Sequence, residues 1–254
     1  MMLAGLTAGT LVRRYKRFLA DIRLDSGEEI VAHCPNTGSM RAVNVPGCRV
    51  WVSQSANPKR KLAWTWELIE LPDGSLASVH TGRANALVAE AITASVVEPL
   101  RDYLTAEATL KREAKVADAR LDFRLEAPGQ PPAFVEVKQV TLKEADGHGY
   151  FPDSVSERGR RHLESLAALA AQGNRAVLLF CVAHNGIDDV APARHLDPRY
   201  AETLVRVAQQ GVEVLAYGCR VTPEAIQLVR RLPVRLTSAG FNPARLHQSD
   251  PLRR

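Results

Sequence analysis

The sequence predicts two domains, an all-β module followed by an α/β module. Two observations carry this. In the first third, apolar and polar residues alternate with a period of two in short runs separated by turns. Beyond Thr81-Gly82, helix-length segments alternate with short apolar runs. The boundaries read this way are 1–81 for the β module and 82–236 for the α/β module. Residues 237–254 are polar and rich in Pro and Arg, and are expected to form a disordered tail.

In chain order, Phe18, Ala20, Ile22 and Leu24 alternate with Leu19, Asp21 and Arg23, which predicts a strand. Asp25-Ser26-Gly27 turns the chain, and Glu29 to Cys34 returns it. Arg49 to Ser53 and Trp64 to Leu71 read as further strands. Pro72-Asp73-Gly74 is a turn, because Pro presets φ and Gly tolerates positive φ; Leu76 to Val79 follows as a strand. Strands this short, divided by turns, suggest a small barrel or sandwich. Ala84 to Val97 lacks Gly and Pro and predicts a helix ending at or before Pro99. Ala119 to Leu125 and Ala133 to Val140 predict strands. Ser154 and Glu157 have capping-box spacing and predict a helix running to about Gln172, stopped by Gly173. Arg175 to Val182 predicts a strand, Pro198 to Gln210 a helix and Val212 to Tyr217 a strand. Pro223 to Arg231 predicts a last helix, with Pro near its first turn.

Hydrophobic residues make up 46% of the 254 residues and charged residues 24%, ordinary values for a chain with real cores. Lys and Arg outnumber Asp and Glu by 33 to 28, a net charge of +5 that mildly favours polyanions. Cys34, Cys48, Cys181 and Cys219 form no C-x-x-C pair, which argues against a zinc cluster; free thiols in a reducing cytosol are the simpler reading. The apolar Met1 to Leu6 precedes a basic run, the reverse of a secretory signal. No apolar run approaches the ~20 residues that span a bilayer, so a cytoplasmic protein with no membrane partner is expected. No P-loop, H-E-x-x-H or G-x-S-x-G occurs.

The chemistry concentrates at Arg120 to Leu125 and Phe134 to Lys138. Between them lies Ala127-Pro128-Gly129-Gln130-Pro131-Pro132, so the flanks predict an antiparallel hairpin. Leu121, Phe123 and Leu125 face one way with Val135 and Val137, which leaves Asp122, Glu136 and Lys138 on the opposite face. A turn centred on Gly129 sets Asp122 opposite Glu136, with Cβ atoms ~5 Å apart. Two carboxylates that close repel unless a cation lies between them. Mg²⁺ or Mn²⁺ answers that need, since hard cations take carboxylate oxygens and keep waters. Lys138 is spaced to orient or activate a metal-bound water, and metal plus Lys equips a site for phosphodiester hydrolysis. The competing reading is a solvated strand face with weak ion pairs.

Longer motifs surround this hairpin. They are Arg14-Tyr15-Lys16-Arg17-Phe18-Leu19-Ala20-Asp21, His33-Cys34-Pro35-Asn36-Thr37-Gly38-Ser39-Met40, Arg60-Lys61-Leu62 with Thr65-Trp66-Glu67-Leu68, Phe151-Pro152-Asp153-Ser154 with Glu157-Arg158-Gly159, and Pro192-Ala193-Arg194-His195. With Arg120-Leu121-Asp122-Phe123 and Glu136-Val137-Lys138, they resemble the sugar fermentation stimulation protein A family from about Thr10 to Leu236. The resemblance implies an N-terminal OB-like barrel, a C-terminal domain of the PD-(D/E)xK nuclease type, and DNA binding with little sequence preference. It implies Asp122, Glu136 and Lys138 as the catalytic set, with Glu113 as a further upstream acid. Two function classes follow: a Mg²⁺- or Mn²⁺-dependent nuclease, or a DNA-binding regulator of sugar metabolism with a silent nuclease fold. RNA is a third possible target.

Arg158, Arg161 and His162 fall on one face of the helix after Ser154 and are spaced to clamp a phosphate; a plain basic helix face is the alternative. Asp153 reads as a helix cap or a group behind the site. Arg13, Arg14, Lys16 and Arg17 beside Tyr15 and Phe18, and Lys59, Arg60 and Lys61 near three tryptophans, read as a nucleic-acid surface. At least one Trp is expected in the core. His33-Cys34 reads as a structural turn.

Overall fold

The computed structural model describes residues 1–116 and 119–236; the predicted tail lies outside the described residues. Six strands build the first sheet: β1 (Thr7–Tyr15), β2 (Leu19–Leu24), β3 (Glu29–His33), β4 (Arg49–Gln54), β5 (Trp64–Glu70) and β6 (Leu76–Ser78). β1, β2 and β3 form a meander, β4 joins β1 to β5, and a short parallel pairing of β3 with β5 closes a five-stranded barrel of the OB type. β6 extends the sheet beyond β5. Inward residues follow the predicted alternation: Ala20, Ile22, Leu24, Ile30 and Ala32 are buried around Trp66, whose indole N–H donates to the Leu68 carbonyl at 2.9 Å. Cys34 is buried in the same core. Phe18, expected in the strand, instead sits exposed in the β1–β2 turn.

A 3₁₀ turn at Thr81–Arg83 leads into α1 (Ala84–Thr93), and a second 3₁₀ segment covers Glu98–Tyr103. There follow β7 (Thr109–Val116), β8 (Ala119–Glu126), β9 (Ala133–Val140), β10 (Leu142–Lys143), β11 (Gly149–Phe151), α2 (Glu157–Ala171), β12 (Arg175–Val182), β13 (Val190–Pro192), α3 (Pro198–Gln209), β14 (Glu213–Val221) and β15 (Ile226–Leu232). The main sheet runs β15-β14-β12-β9-β8-β7, parallel at β9, β12 and β14 and antiparallel towards both edges. β10, β11 and β13 make a small second sheet. α1 buries one face of the main sheet, and α2 with α3 buries the other.

Three expectations about helices are corrected. Pro223 to Arg231 is not a helix. Pro223 lies in a turn in which Thr222 Oγ1 accepts the Glu224 and Ala225 N–H groups, and β15 then returns antiparallel to β14. Ile226, Leu228 and Leu232 are its buried residues, a period of two. The helix from Ala84 stops at Thr93 rather than Val97: Ser95 takes φ 61°, and the Val96 N–H reaches back to the Ala91 carbonyl, a Schellman ending. The cap of α2 is Ser156, whose Oγ accepts the Gly159 N–H at 3.1 Å, not Ser154. Gly173 does stop this helix, at φ 83°.

The barrel is hydrogen-bonded to the second domain. Ser78 N–H donates to Ala183 and Asn185 N–H to Leu76, each at 2.9 Å. Gln139 Nε2 donates to Ser78 O at 2.6 Å, and Lys143 pairs with Asp73 at 2.8 Å. Asp153 caps no helix; its carboxylate accepts the Met40 N–H at 3.0 Å, and its carbonyl accepts Ser39 Oγ at 2.9 Å. The approach requires glycine at position 38, where a Cβ would lie 3.0 Å from both Asn36 Oδ1 and Asp153 Oδ2.

Candidate active site

The β8–β9 hairpin has the predicted register. Phe123 opposes Val135, Arg124 opposes Phe134 and Leu125 opposes Ala133, which centres the turn on Gly129 at φ 75°. The ladder stops there. One step on, at Asp122 and Glu136, β8 parts from β9, and Asp122 Oδ2 takes the Val137 N–H at 2.7 Å. The side chain thereby satisfies a backbone donor that the ladder leaves open. The β7–β8 pairing skips the same step: Arg112 opposes Phe123 and Ala114 opposes Leu121, while Glu113 between them has φ 56°. The distortion turns Leu121 over. Phe123 packs under α1, but Leu121 packs under α2 and α3, so the predicted shared face of Leu121 and Phe123 does not hold.

Helices from both faces then reach the carboxylates. Asn85, in the first turn of α1, donates from Nδ2 to Asp122 Oδ1 at 2.7 Å. Glu136 is only 3% exposed, because α2 covers the strand face that the competing reading left to solvent. Its Oε1 accepts from Lys138 Nζ at 2.6 Å and from His162 Nδ1. A carboxylate has no hydrogen to give, so His162 Nδ1 carries it, and Nε2 accepts from Arg158 Nε at 3.5 Å. Glu136 Oε2 is buried and has no partner among the described residues. Leaving a buried acceptor unmet costs about 1–3 kcal/mol, more when it is charged.

The two carboxyls titrate in opposite directions. Burial, and then the Glu136 charge, hold Asp122 above its ordinary value, against the Val137 and Asn85 hydrogen bonds. Burial also pushes Glu136 upward, but His162 and Lys138 outweigh it and hold Glu136 below the usual range.

The other predicted residues divide. Glu113 is exposed and pairs with Arg120 at 3.3 Å; it takes no part in the hydrogen bonds around Asp122 and Glu136. Arg158 and Arg161 are exposed on α2 and, with Arg120 and Ser165, line an open groove beside His162. Arg13 is bound to Asp21 at 2.7 Å. Arg14 donates to the carbonyls of Arg17, Asn36 and Gly38 at 2.7, 2.9 and 2.9 Å, so it braces the loop after β3. Lys16 and Arg17 stand exposed at the β1–β2 turn beside Phe18, which is 46% exposed. Lys59, Arg60 and Lys61 are exposed in the β4–β5 loop, where Arg60 donates to Thr65 Oγ1 at 3.0 Å. Both loops lie at one end of the barrel: Phe18 O accepts the Cys34 N–H, and Thr65 pairs with His33. Trp66 is core, and Trp51 and Trp64 pack partly buried against the cores.

Sequence reasoning missed Asn85 and gave His162 a different part. Asn85 lies 37 positions from Asp122 and His162 lies 26 from Glu136, so neither contact has a local signal. Among the described residues no group of three His, Cys, Asp or Glu side chains could hold a metal ion, and no helix is long and apolar enough to cross a membrane.

Comparisons with known proteins agree along most of the chain. Residues 12–79 match the family model described as the SfsA N-terminal OB domain, and residues 82–225 match the Sugar fermentation stimulation protein RE domain. The sugar fermentation stimulation protein homolog of Chromohalobacter salexigens is 67% identical over 246 residues, covering 93% of this chain and 95% of that one. The homolog of Shewanella loihica is 53% identical over 230 residues, covering 90% and 96%. A solved structure of Pyrococcus furiosus SfsA in complex with Ca²⁺ is similar, with TM-score 0.78 and 28% identity over 92% of this chain and 98% of that one. An OB barrel joined to an α/β domain, matched by both family models and by relatives over nearly their whole length, makes this chain a member of the sugar fermentation stimulation protein family.

Proposed function

We propose that the protein is a divalent-metal-dependent nuclease that holds DNA with little sequence preference. The observation that carries the reading is Glu136 Oε2, a buried carboxylate oxygen with no partner among the described residues, in the carboxylate pair with Asp122 and beside Lys138. A hard cation is what such an oxygen lacks, and the donors fit one. Asp122 and Glu136 would hold the ion, with waters completing its shell. The similar P. furiosus SfsA is described in complex with Ca²⁺, which supports a cation in this family. When bound, Mg²⁺ or Mn²⁺ supplies Lewis acidity and lowers the pKa of water.

The chain's own residues do the rest. Asn85 and the Val137 N–H fix both oxygens of Asp122. His162 fixes Glu136 and leaves Lys138 as the cation on the open side, since Lys138 lines the pocket between the domains. Lys16, Arg17 and the Lys59–Lys61 loop offer phosphate contacts, and Arg158 and Arg161 offer more beyond His162. The second reading is a DNA-binding regulatory protein with a silent site. It is favoured by one observation: Glu136 Oε1 already holds two donors, and no three-ligand group stands among the described residues. RNA stands beside DNA as a possible target. Incubation of the purified protein with DNA and RNA in Mn²⁺, Mg²⁺ or EDTA, beside Lys138→Ala, tests the reading. Metal-dependent cleavage lost in the variant is expected; no cleavage under any condition favours the silent site.

A further inference from the structure

A pocket of about 270 Å³ opens between the two domains, immediately beside Lys138. One wall is barrel and junction, with Asn36 and Thr81; the opposite wall is β9 and the segment after it, with Gln139 and Thr141. Asn85 and Val137 form its end nearest the carboxylates, and both contact Asp122. Its lining differs from that of the basic loops. Lys138 is its single basic side chain and Asp153, whose carboxylate accepts the Met40 N–H, its single acidic one; the remainder is amides, hydroxyls, aliphatic carbons and the rings of Tyr150 and Phe151. Asn36 Nδ2 and Gln139 Oε1 make no hydrogen bond among the described residues, although the other end of each amide is fixed, by Gly38 N–H and Ser78 O. The walls are held together by Asp153, which bonds the Met40 N–H across the domain boundary.

A phosphate track is lined by Arg and Lys. A pocket with one cation at its end, flat apolar surface and anchored amides with a free donor and a free acceptor suits a nucleobase and its sugar. The cavity is smaller than the roughly 300–1,000 Å³ of drug-sized sites, a size that suits one nucleotide rather than a pair of them. The edges those amides would read are also occupied in a duplex. We infer that this pocket takes one unpaired nucleotide next to the phosphodiester under attack, so that the protein prefers single-stranded ends, gaps or flaps to continuous duplex. The inference rests on the reading of the carboxylate pair as the phosphodiester site. Lys138 then meets the phosphate of the captured nucleotide, and Asn36 and Gln139 meet its base or sugar.

The test uses the full chain and fluorescein-labelled oligothymidylate, its blunt duplex with oligoadenylate, and oligouridylate, with affinity read by anisotropy in EDTA. Single strand should bind about tenfold tighter than duplex, within the worth of one or two stacked bases. Thr141→Phe, which fills the pocket, and Gln139→Leu, which removes the amide, should reduce that preference to about twofold and leave duplex affinity, set by the barrel loops, unchanged. Oligouridylate binding as well as oligothymidylate would make the source RNA as readily as DNA. Thymidine 5′-monophosphate should show saturation transfer from wild type and not from either variant, a readout that decides the matter even if Thr141→Phe melts early. Equal affinity for single strand and duplex in wild type, or a preference untouched by both variants, overturns the inference. Cleavage in Mn²⁺ is scored separately: preference without cleavage overturns only the nuclease reading, and cleavage without preference overturns only the pocket.

Discussion

At Glu136 one oxygen holds two donors and the other holds none among the described residues. That asymmetry makes single substitutions informative. If a cation binds at the free oxygen, it stabilises the folded state by mass action, about 2.7 kcal/mol at a hundred times Kd. Mn²⁺ should therefore raise the Tm of wild type and of Lys138→Ala, but not of Glu136→Gln or Asp122→Asn. An equal Mn²⁺ shift in wild type and Asp122→Asn would mean that the pair is not a metal site. The same two carboxyls predict opposite pH trends in EDTA. Asp122 has a raised folded value, so its contribution is complete below the unfolded value of about 3.9 and is lost as pH rises through the folded value. Glu136 has a depressed folded value, so its contribution is present above about 4.3 and is lost as pH falls through the folded value. Asp122→Asn loses one acceptor for the Asn85 and Val137 donors at every pH, but its Tm relative to wild type should be better at pH 8 than in acid. Glu136→Gln should lose Tm at pH 8, with the deficit shrinking in acid. Parallel pH profiles for the two variants would contradict the assignment.

Among the elements, the two helices over Glu136 are tied at their starts by one buried carboxylate. Asp197 Oδ1 caps α3 by accepting the Tyr200 N–H at 2.9 Å, and Oδ2 accepts the Ser156 N–H at 2.8 Å. Ser156 in turn caps α2. Ser156→Ala should cost about 1 kcal/mol in urea denaturation, the usual worth of a cap. Asp197→Ala should cost at least twice that, since it strands donors at both helices; a smaller loss for Asp197 than for Ser156 would mean the shared cap carries little. The elements differ in how far the sequence made them legible. The hairpin register followed from alternation on both strands and a Pro/Gly turn, and the end of α2 from Gly173, where only a residue tolerant of positive φ fits. β15 was missed because Pro223 can open a helix as well as a turn, and the two-residue period after it had to compete with that signal. The cover over Glu136 was invisible for another reason. Strand alternation fixes which side a residue takes, and it says nothing about which helix, recruited from 26 residues away, packs on that side.

Across the whole molecule, the proposed phosphate-binding surface and the carboxylate pair lie in different parts. The exposed cations of the barrel, Lys16 and Arg17 at one turn and Lys59 to Lys61 at another, lie at the same barrel end, with no carboxylate bound to them among the described residues. Arg13 and Arg14 belong to the barrel's own structure, one held by Asp21 and the other by three carbonyls. A protein that neutralises phosphates releases their counterions, so log affinity falls linearly with log salt concentration, by roughly 0.7–0.9 per contact. Replacing Lys16, Arg17 or Lys59 with Ala should therefore lower the slope by about one each and weaken binding similarly for unrelated sequences. Arg14→Ala should act differently, lowering Tm through the loop from Asn36 to Gly38. Glu136→Gln should leave the salt slope unchanged, since it alters no phosphate contact in the barrel. Titrations of wild type and these variants against two unrelated oligonucleotides across a salt series decide the point. A slope unmoved by the barrel substitutions would shift the phosphate contacts to Arg158 and Arg161 on α2, and a slope moved by Glu136→Gln would mean that binding and the carboxylate site are not separable.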